Sequence, residues 1–344
     1  MRSLDGEATR MGAEAREASL VLRRQASAQH PLADLAARLR TKPPQLVVTC
    51  ARGSSAHAAT FGKHLIERHL GIPVSAAAPN IASIYRATLA LRDQLFLAVS
   101  QAGRSADIVE TAAMAKAAGA ITVAIVNDAG SPLADMCDIV LPMQAGPELS
   151  IAASKSFIAS LAMLLRLTAT WARDGTMQQG IDRLPERLDA AAGLDWSAAL
   201  AILSRAHNVM TIGRGPTLAI AREAALKLKE TCNLHAEAFS SAEFQHGPIT
   251  LVESAYPVLL FAPADQAAAG IETLRTDLAR KGACVFSTEA GSGPEFLPTL
   301  APDHPDADAI CLIQTFYQML LHVAARRGND VDRPRHLQKV TRTR

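Results

Sequence analysis

Between Glu223 and Pro248 the chain gathers Glu223, Lys227, Glu230, His235, Glu237, Glu243 and His246 in a stretch otherwise rich in Ala and Leu. In a helix, Glu223, Lys227 and Glu230 stand at i, i+4 and i+7 and share one face. An ordinary amphipathic helix has the same spacing. What sets this stretch apart is its continuation, two histidines and two more carboxylates ended by the turn signal Gly247-Pro248. Acids and bases leading into a tight turn suit proton transfer, which needs side chains that exchange protons near neutral pH. His235, Glu237 and His246 show neither HExxH nor another tight ligand spacing, so no metal is expected. Glu237 and Glu243 also fit as structural partners of the loop.

A second cluster lies earlier. Ser100-Gln101-Ala102-Gly103-Arg104-Ser105 follows an apolar run and opens a helical pattern. At such a turn, free backbone N–H groups and the positive end of a helix dipole favour an anion. Ser100 and Ser105 add hydroxyls, and Gly103 lets the backbone come close to a ligand. A plain Ser/Gly-rich helix cap reads the same way. Arg52-Gly53-Ser54-Ser55 follows another apolar run and would converge on the same ligand. Neither turn has the P-loop or GxGxxG pattern, which disfavours nucleotides and dinucleotides and leaves a sugar phosphate as the better fit.

The elements that must position these groups follow from periodicity. Apolar, strand-length runs occur at 46–50, 95–99, 121–126 and 139–141, and helical patterns follow the first two, to about Leu70 and Ala118. Residues 8–27 read as an amphipathic helix and Ala33–Leu39 as a short one. Continuous apolar strands alternating with helices indicate a parallel sheet covered on both faces. The second half then repeats the first: Thr49-x-x-Arg52-Gly53-x-Ser55 recurs as Thr211-x-x-Arg214-Gly215-x-Thr217, an offset of 162 residues (49 to 211). The same offset carries the run at 95–99 onto Pro257–Phe261 and the start of the run at 121 onto Ala283–Phe286, so duplication is expected. Only the first copy keeps the polar turn, since Ser100-Gln101-Ala102-Gly103 becomes Ala262-Pro263-Ala264-Asp265.

Composition sets the bounds. A chain of 344 residues, 49% apolar and 20% charged, accommodates two globular α/β domains. Its net charge of +2 argues against nucleic acid or a membrane surface as partner, despite Arg333, Arg335, Arg342 and Arg344 in the tail, which reads as solvated or substrate-folding. Apolar runs such as 95–99 and 257–262 are too short to span a bilayer, and the N-terminus has no signal-peptide core. The five cysteines stand singly without CxxC and read as reduced, buried thiols of a cytoplasmic protein.

The motifs RGSS at 52–55, SQAGRSAD at 100–107, ELSIAASKSF at 148–157, ALKLKE at 225–230, HAEAFSSAEFQHGP at 235–248 and DVDRPRHLQKVT at 330–341 resemble the sugar isomerase (SIS) domain family. The likeness is to the tandem-domain isomerase half of glucosamine-6-phosphate synthase and its stand-alone relatives, and runs from about Ala33 to the C-terminus. It implies two tandem doubly wound α/β domains, three-layered and flavodoxin-like. The expected layout is an N-terminal helical segment (1–32), a first SIS domain with the phosphate turn (33–173), a linker helix (174–200), a second SIS domain with the acid/base helix (201–328) and a tail closing the site (329–344).

Carried over by position, Gly53, Ser54, Ser55, Ser100, Gln101, Ala102, Gly103 and Ser105 fall on the phosphate and sugar contacts. Glu230 falls on the base that moves a proton between C1 and C2 of the open-chain sugar, and Lys227 on its assisting lysine. His246 resembles the ring-opening histidine, which in the family reaches into a partner subunit, and Lys339 the lysine that meets the sugar's carbonyl end. Glu223 falls on a further carboxylate beside the site. Two positions depart from the pattern. Ala102 removes a phosphate hydroxyl from the family's SxSG turn, and Ala152-Ala153-Ser154 replaces Ala-Ser-Thr, so Ala153 lacks a sugar-contacting hydroxyl. Arg104 and the alanine pair look more like the stand-alone branch.

The resemblance implies a homodimeric, cofactor-free, cytoplasmic aldose–ketose isomerase of amino-sugar phosphates. The synthase's glutamine-hydrolysing domain has no counterpart in these motifs, so the expected reaction is conversion of glucosamine 6-phosphate to fructose 6-phosphate and ammonia. A plain phosphosugar isomerase or a deglycase is the enzymatic alternative, and a non-catalytic sugar-phosphate sensor the other class. Retention of Glu230, His246 and Lys339 favours an enzyme.

Overall fold

A computed structural model describes residues 9–28 and 31–339. Residues 1–8 of the expected N-terminal segment and 340–344 of the expected tail, Arg342 and Arg344 among them, lie outside the described residues. The helix expected over 8–27 is two helices, α1 (Arg10–Arg16) and α2 (Ala18–Ser27), parted at Glu17. The hydroxyl of Thr9 caps α1 by accepting from Gly12 N–H, and the Asp332 carboxylate accepts from the next free amides, those of Arg10 and Met11.

There follow α3 (Leu32–Thr41), β1 (Val47–Cys50), α4 (Gly53–Leu70), β2 (Val74–Ala76), α5 (Asn80–Ser83), β3 (Leu95–Ser100), α6 (Ala106–Ala117), β4 (Ile121–Val126), α7 (Pro132–Met136), β5 (Ile139–Pro142) and α8 (Lys155–Ala172). Beyond them come α9 (Gly175–Ala191), α10 (Leu200–Arg205), β6 (Asn208–Gly213), α11 (Thr217–Cys232), β7 (His235–Ser240), β8 (Pro257–Phe261), α12 (Ile271–Arg280), β9 (Cys284–Ser287) and α13 (Pro305–Arg326). The chain folds as two compact units. One holds Leu20–Glu148 and Lys155–Asp182 with Gln338 and Lys339. The other holds residues 9–19, Leu149–Ser154 and Arg183–Leu337.

The first unit is built on a parallel sheet of order β2-β1-β3-β4-β5. Strands β3 and β4 are buried along their whole length, which is why they read as unbroken apolar runs. The order reverses between β1 and β3, and ligands of open α/β sheets bind beyond the strand carboxyl ends at such a switch point. β1 and β3 pair directly, Cys50 opposite Ala98, so the turns leaving these two strands are neighbours. Phe96, Ala98, Ile108, Ala112, Ala124 and Leu133 form the core under α6 and α7. Helices α4 and α8 meet at Gly62, where a Cβ would lie 2.9 Å from the Leu164 side chain.

The second unit repeats this plan with the order β7-β6-β8-β9, also parallel. Met210, Ile212, Val258, Leu260, Leu274 and Leu278 make one layer of its core. Phe261 packs against Trp196 and Phe316 with ring centroids 6.2 and 6.1 Å apart. The fold class expected from the periodicity therefore holds in both halves. The stretch Glu223–Pro248 divides between three elements: α11 ends at Cys232, Asn233 turns the chain in the left-handed region (φ 48°), and His235–Ser240 is an edge strand. On that strand His235 and Glu237 are exposed and Ala236 between them is buried, the alternation of an edge strand with one face in the core.

Among the described residues no helix is long and apolar enough to cross a membrane. Cys50, Cys137, Cys232 and Cys311 are buried, while Cys284 is half-buried. Burial pushes the Cys50, Cys232 and Cys311 thiols up to about 12 and Cys137 to about 11. A raised value means that folding favours the protonated thiol. This stabilisation is complete below the ordinary thiol value of about 8.5 and is lost as pH rises from there towards about 12. At pH 8 iodoacetamide is expected to label Cys284 first, with the four buried thiols protected until denaturant unfolds the chain. Prompt labelling of all five would contradict this packing.

Candidate functional site

In the first unit, the turn after β3 is closed from within. Ser100 is buried, and its hydroxyl accepts from Gly103 N–H at 3.1 Å. Gly103 has φ 63°, and a Cβ there would stand 2.1 Å from Ser131 Oγ. Gly103→Ala is thus expected to lose more than about 1 kcal/mol of stability and to open the turn. Thermal melting and a phosphate titration check both effects; an alanine variant as stable as the parent would contradict the geometry. Ser105 precedes α6 in extended backbone and spends no side-chain hydrogen bond on capping it.

The turn after β1 is held beside this one by a pair that sequence reasoning missed. Arg52 donates from Nε (3.1 Å) and Nη2 (2.7 Å) to Oδ2 of Asp107, which is 3% exposed in the first turn of α6. Gly53 (φ 52°), Ser54 and Ser55 then begin α4, with open space where a Gly53 side chain would be. Gln101 and Ala102 are half-buried. Arg104 is turned to Asp128 (2.8 Å), and this guanidinium, with Gly130 N–H, holds the Asp128 carboxyl below its usual range.

Lys339, also of the first unit, lies 3.4 Å from Oε2 of Glu148, whose side chain is fully buried. The Glu148 carboxylate also accepts from Ser156 N–H (3.1 Å) and Ser156 Oγ (2.6 Å). A buried carboxylate needs such partners. Glu148 thus fixes the lysine ammonium end, although nothing in their separation of 191 residues could announce the pair.

In the second unit, α11 presents an ion-paired ladder. Lys227 is 1% exposed and sits between Glu223 Oε1 (3.4 Å, side chain 0% exposed) and Glu230 Oε2 (2.5 Å). Glu230 alone of the three reaches solvent, its side chain being 21% exposed. Tyr317 of α13, fully buried, donates its hydroxyl to Glu223 Oε1 at 3.4 Å. The ladder grades from a dry, doubly held carboxylate to one with an open edge. Such a base can meet a substrate while its neighbour lysine carries compensating charge.

The segment carrying Ala152 and Ala153 belongs to this unit as well. Glu14 of α1 is buried, and its carboxylate accepts from the backbone N–H groups of Leu149 and Ser150. Ala152 is buried and Ala153 half-buried. His246 is exposed just past a single 3₁₀ turn (Glu243–Gln245), and its backbone N–H donates to Glu243 O at 3.0 Å.

The SIS domain family matches residues 15–169 and 202–292, well over half of the chain and one segment in each repeat. The chain belongs to the SIS domain family. A curated relative, the isomerizing glutamine–fructose-6-phosphate aminotransferase of Caulobacter vibrioides, is 33% identical over 313 residues, which cover 85% of this chain and 51% of that protein. The chain therefore spans about half the length of the curated relatives it matches. Among solved structures, a proposed phosphosugar isomerase from Silicibacter pomeroyi DSS-3 is 43% identical, with a TM-score of 0.88 over 94% of this chain and 100% of that one. Glucosamine-6-phosphate deaminase from Thermotoga maritima shares the fold at 22% identity, with a TM-score of 0.79 over 97% of this chain and 100% of that one.

Within the SIS framework, Asp107, Glu148, Tyr317 and Glu14 each hold a residue or segment that the resemblance marks. Asp107 and Glu148 lie inside the recognisable motifs. Their carboxylates in otherwise small or apolar company are the only sequence signal they give. Tyr317 and Glu14 lie outside those motifs and give none.

Proposed function

We propose that the chain is a phosphosugar isomerase of the amino-sugar class, converting glucosamine 6-phosphate to fructose 6-phosphate and ammonia. The observation that carries this reading is the α11 ladder, in which buried Lys227 joins Glu223 to a partly open Glu230. Interconverting a 2-amino aldose and a ketose requires removal of the C2 proton and delivery of a proton to C1. Glu230 takes the first and returns one to C1, while Lys227 balances the negative charge on the intervening enolamine. The resulting C2 imine adds water and expels ammonia, leaving the ketone. His246 is assigned to ring opening, with transfer of the anomeric hydroxyl proton towards the ring oxygen and a role in a partner subunit's site. Lys339, held by Glu148, is assigned to the carbonyl end of the open sugar. Ser55, Ser100, Ser105 and the backbone N–H groups of Gln101, Ala102, Arg104 and Ser105 are assigned to the phosphate, bound more weakly than with a hydroxyl at Ala102.

The reading is supported by the family membership, by the 43% identity to a proposed phosphosugar isomerase, and by the acid/base groups present. The test is incubation with glucosamine 6-phosphate, with assays for ammonia and fructose 6-phosphate. Release of both in equal amounts is expected. Ketose without ammonia from a non-aminated aldose phosphate would leave a plain isomerase. No turnover of glucosamine 6-phosphate or of its galacto and N-acetyl relatives would overturn the enzyme reading in favour of a sensor.

A further inference from the structure

The second unit contains a cavity of about 540 Å³ beyond the carboxyl ends of β6, β8 and β9, within the usual range of small-molecule sites. Its wall includes Thr217, Ala262, Pro263, Ala264 and Thr288. With the repeat offset of 162 these are the counterparts of Ser55, Ser100, Gln101, Ala102 and Val126. The ligand corner of the first repeat is thus retained in the second as an open volume, with different chemistry.

Ala262, Pro263 and Ala264 have no hydroxyls, and Pro263 has no N–H. Ala262 N–H is already given to Thr288 Oγ1 (2.8 Å), and the Thr217 hydroxyl to Phe261 O (2.7 Å). The two arginines on the wall are each paired with a carboxylate, although Nε of Arg187 has no hydrogen-bond partner among the described residues. Arg187 binds Asp308 (2.7 Å) and Ala301 O (2.8 Å), and Arg275 pairs with Glu289 and lies 4.8 Å from the centre of the Phe296 ring. With Glu272, the carboxylates on the wall outnumber the arginines. An anion entering here would meet arginines already paired with carboxylates and a net negative wall. Most of the remaining wall is apolar, Leu194, Ile271, Phe296, Leu300 and Leu312 among it, with Thr299 and Thr315 as further polar residues.

We propose that this cavity is a second binding site, for an uncharged, largely apolar small molecule without a phosphate. Its occupant touches Thr217, the first residue of α11, and Cys311, Leu312 and Thr315 of α13. These helices carry the Glu223–Lys227–Glu230 ladder and the Tyr317 hydroxyl bonded to Glu223. Ligand binding here stabilises both helices by mass action and so bears on the ladder's geometry. The proposal does not rest on the isomerase reading.

The test uses 2-naphthol as a neutral probe and 2-naphthyl phosphate as its anionic counterpart, titrated calorimetrically against the full chain. Saturable binding of 2-naphthol is expected with a Kd of about 1 mM or tighter, at least about tenfold tighter than that of the phosphate ester. Ala268→Trp, which fills the half-buried rim, is expected to weaken 2-naphthol at least about tenfold. Ala264→Trp, at an exposed wall position, is expected to do the same and decides the matter should the first variant fold poorly. Hydrogen exchange at the first turns of α11 is expected to slow with the probe bound. Equal binding of the two probes, undiminished binding to both tryptophan variants, or no saturable binding would overturn the proposal. Because binding is read directly, none of these results depends on catalysis.

Discussion

Glu230→Gln is expected to lower kcat on the sugar phosphate by about 10²- to 10⁴-fold while leaving substrate affinity within a few-fold of the parent. Glutamine matches the carboxylate in shape and can still accept from Lys227, but it cannot take a proton from carbon. The side chain is 21% exposed and is the outermost member of the ladder, so the change strands no fully buried charge. Melting temperature is expected to change little, which separates loss of a base from loss of fold. Steady-state kinetics with a binding titration gives the comparison. A variant that kept full turnover would remove Glu230 from the reaction.

Lys227→Met has the largest expected effect on stability. It removes the cation 3.4 Å from Glu223 Oε1, whose side chain is fully buried. Breaking a buried pair from one side costs about 3–5 kcal/mol, because an uncompensated charge stays in the interior. At about 2–4 °C per kcal/mol for a unit of this size, the melting temperature falls by on the order of 10 °C. The double variant Glu223→Gln/Lys227→Met removes both charges and is expected to recover a substantial part of that loss. Thermal melts of the two singles and the double complete the cycle. Additive effects would mean that the Glu223–Lys227 contact is energetically idle.

Much of the architecture is legible in the residues because the central strands are buried on both faces. Val47–Cys50, Leu95–Ser100 and Ile121–Val126 lie side by side in one parallel sheet, as continuous apolar runs alternating with helices imply. The offset of 162 is matched in the fold, where β6, β8 and β9 take the places that β1, β3 and β4 hold in the first sheet. Short or half-exposed elements are not legible in this way. β2 is three residues long with one buried, too little for a periodicity, and β7 hides its strand among the titratable residues that draw attention as chemistry. The break at Glu17 escapes because the apolar pattern runs on across it.

The same physics separates visible from invisible site features. Glu223, Lys227 and Glu230 share a helix, so their contact follows from local spacing. Arg52–Asp107, Lys339–Glu148 and Tyr317–Glu223 join residues 55, 191 and 94 positions apart, and only the folded chain brings them together. The cavity beside Thr217 was invisible for a further reason. The sequence registers its alanines and proline as a lost polar turn, whereas the volume they leave belongs to the packing of α12, α13 and the 296–302 loop around them.

The central claim is that Glu230 carries a proton between adjacent sugar carbons, and isotope exchange tests it most directly. Incubated with fructose 6-phosphate and an ammonium salt in heavy water, so that the C2 imine can form, and followed by proton NMR, the chain is predicted to replace a C1 proton with deuterium, because the proton on the carboxylate exchanges with solvent over repeated turnovers. The Glu230→Gln chain is predicted to leave that signal intact over the same period. No exchange by the parent chain, or equal exchange by the variant, would contradict the account.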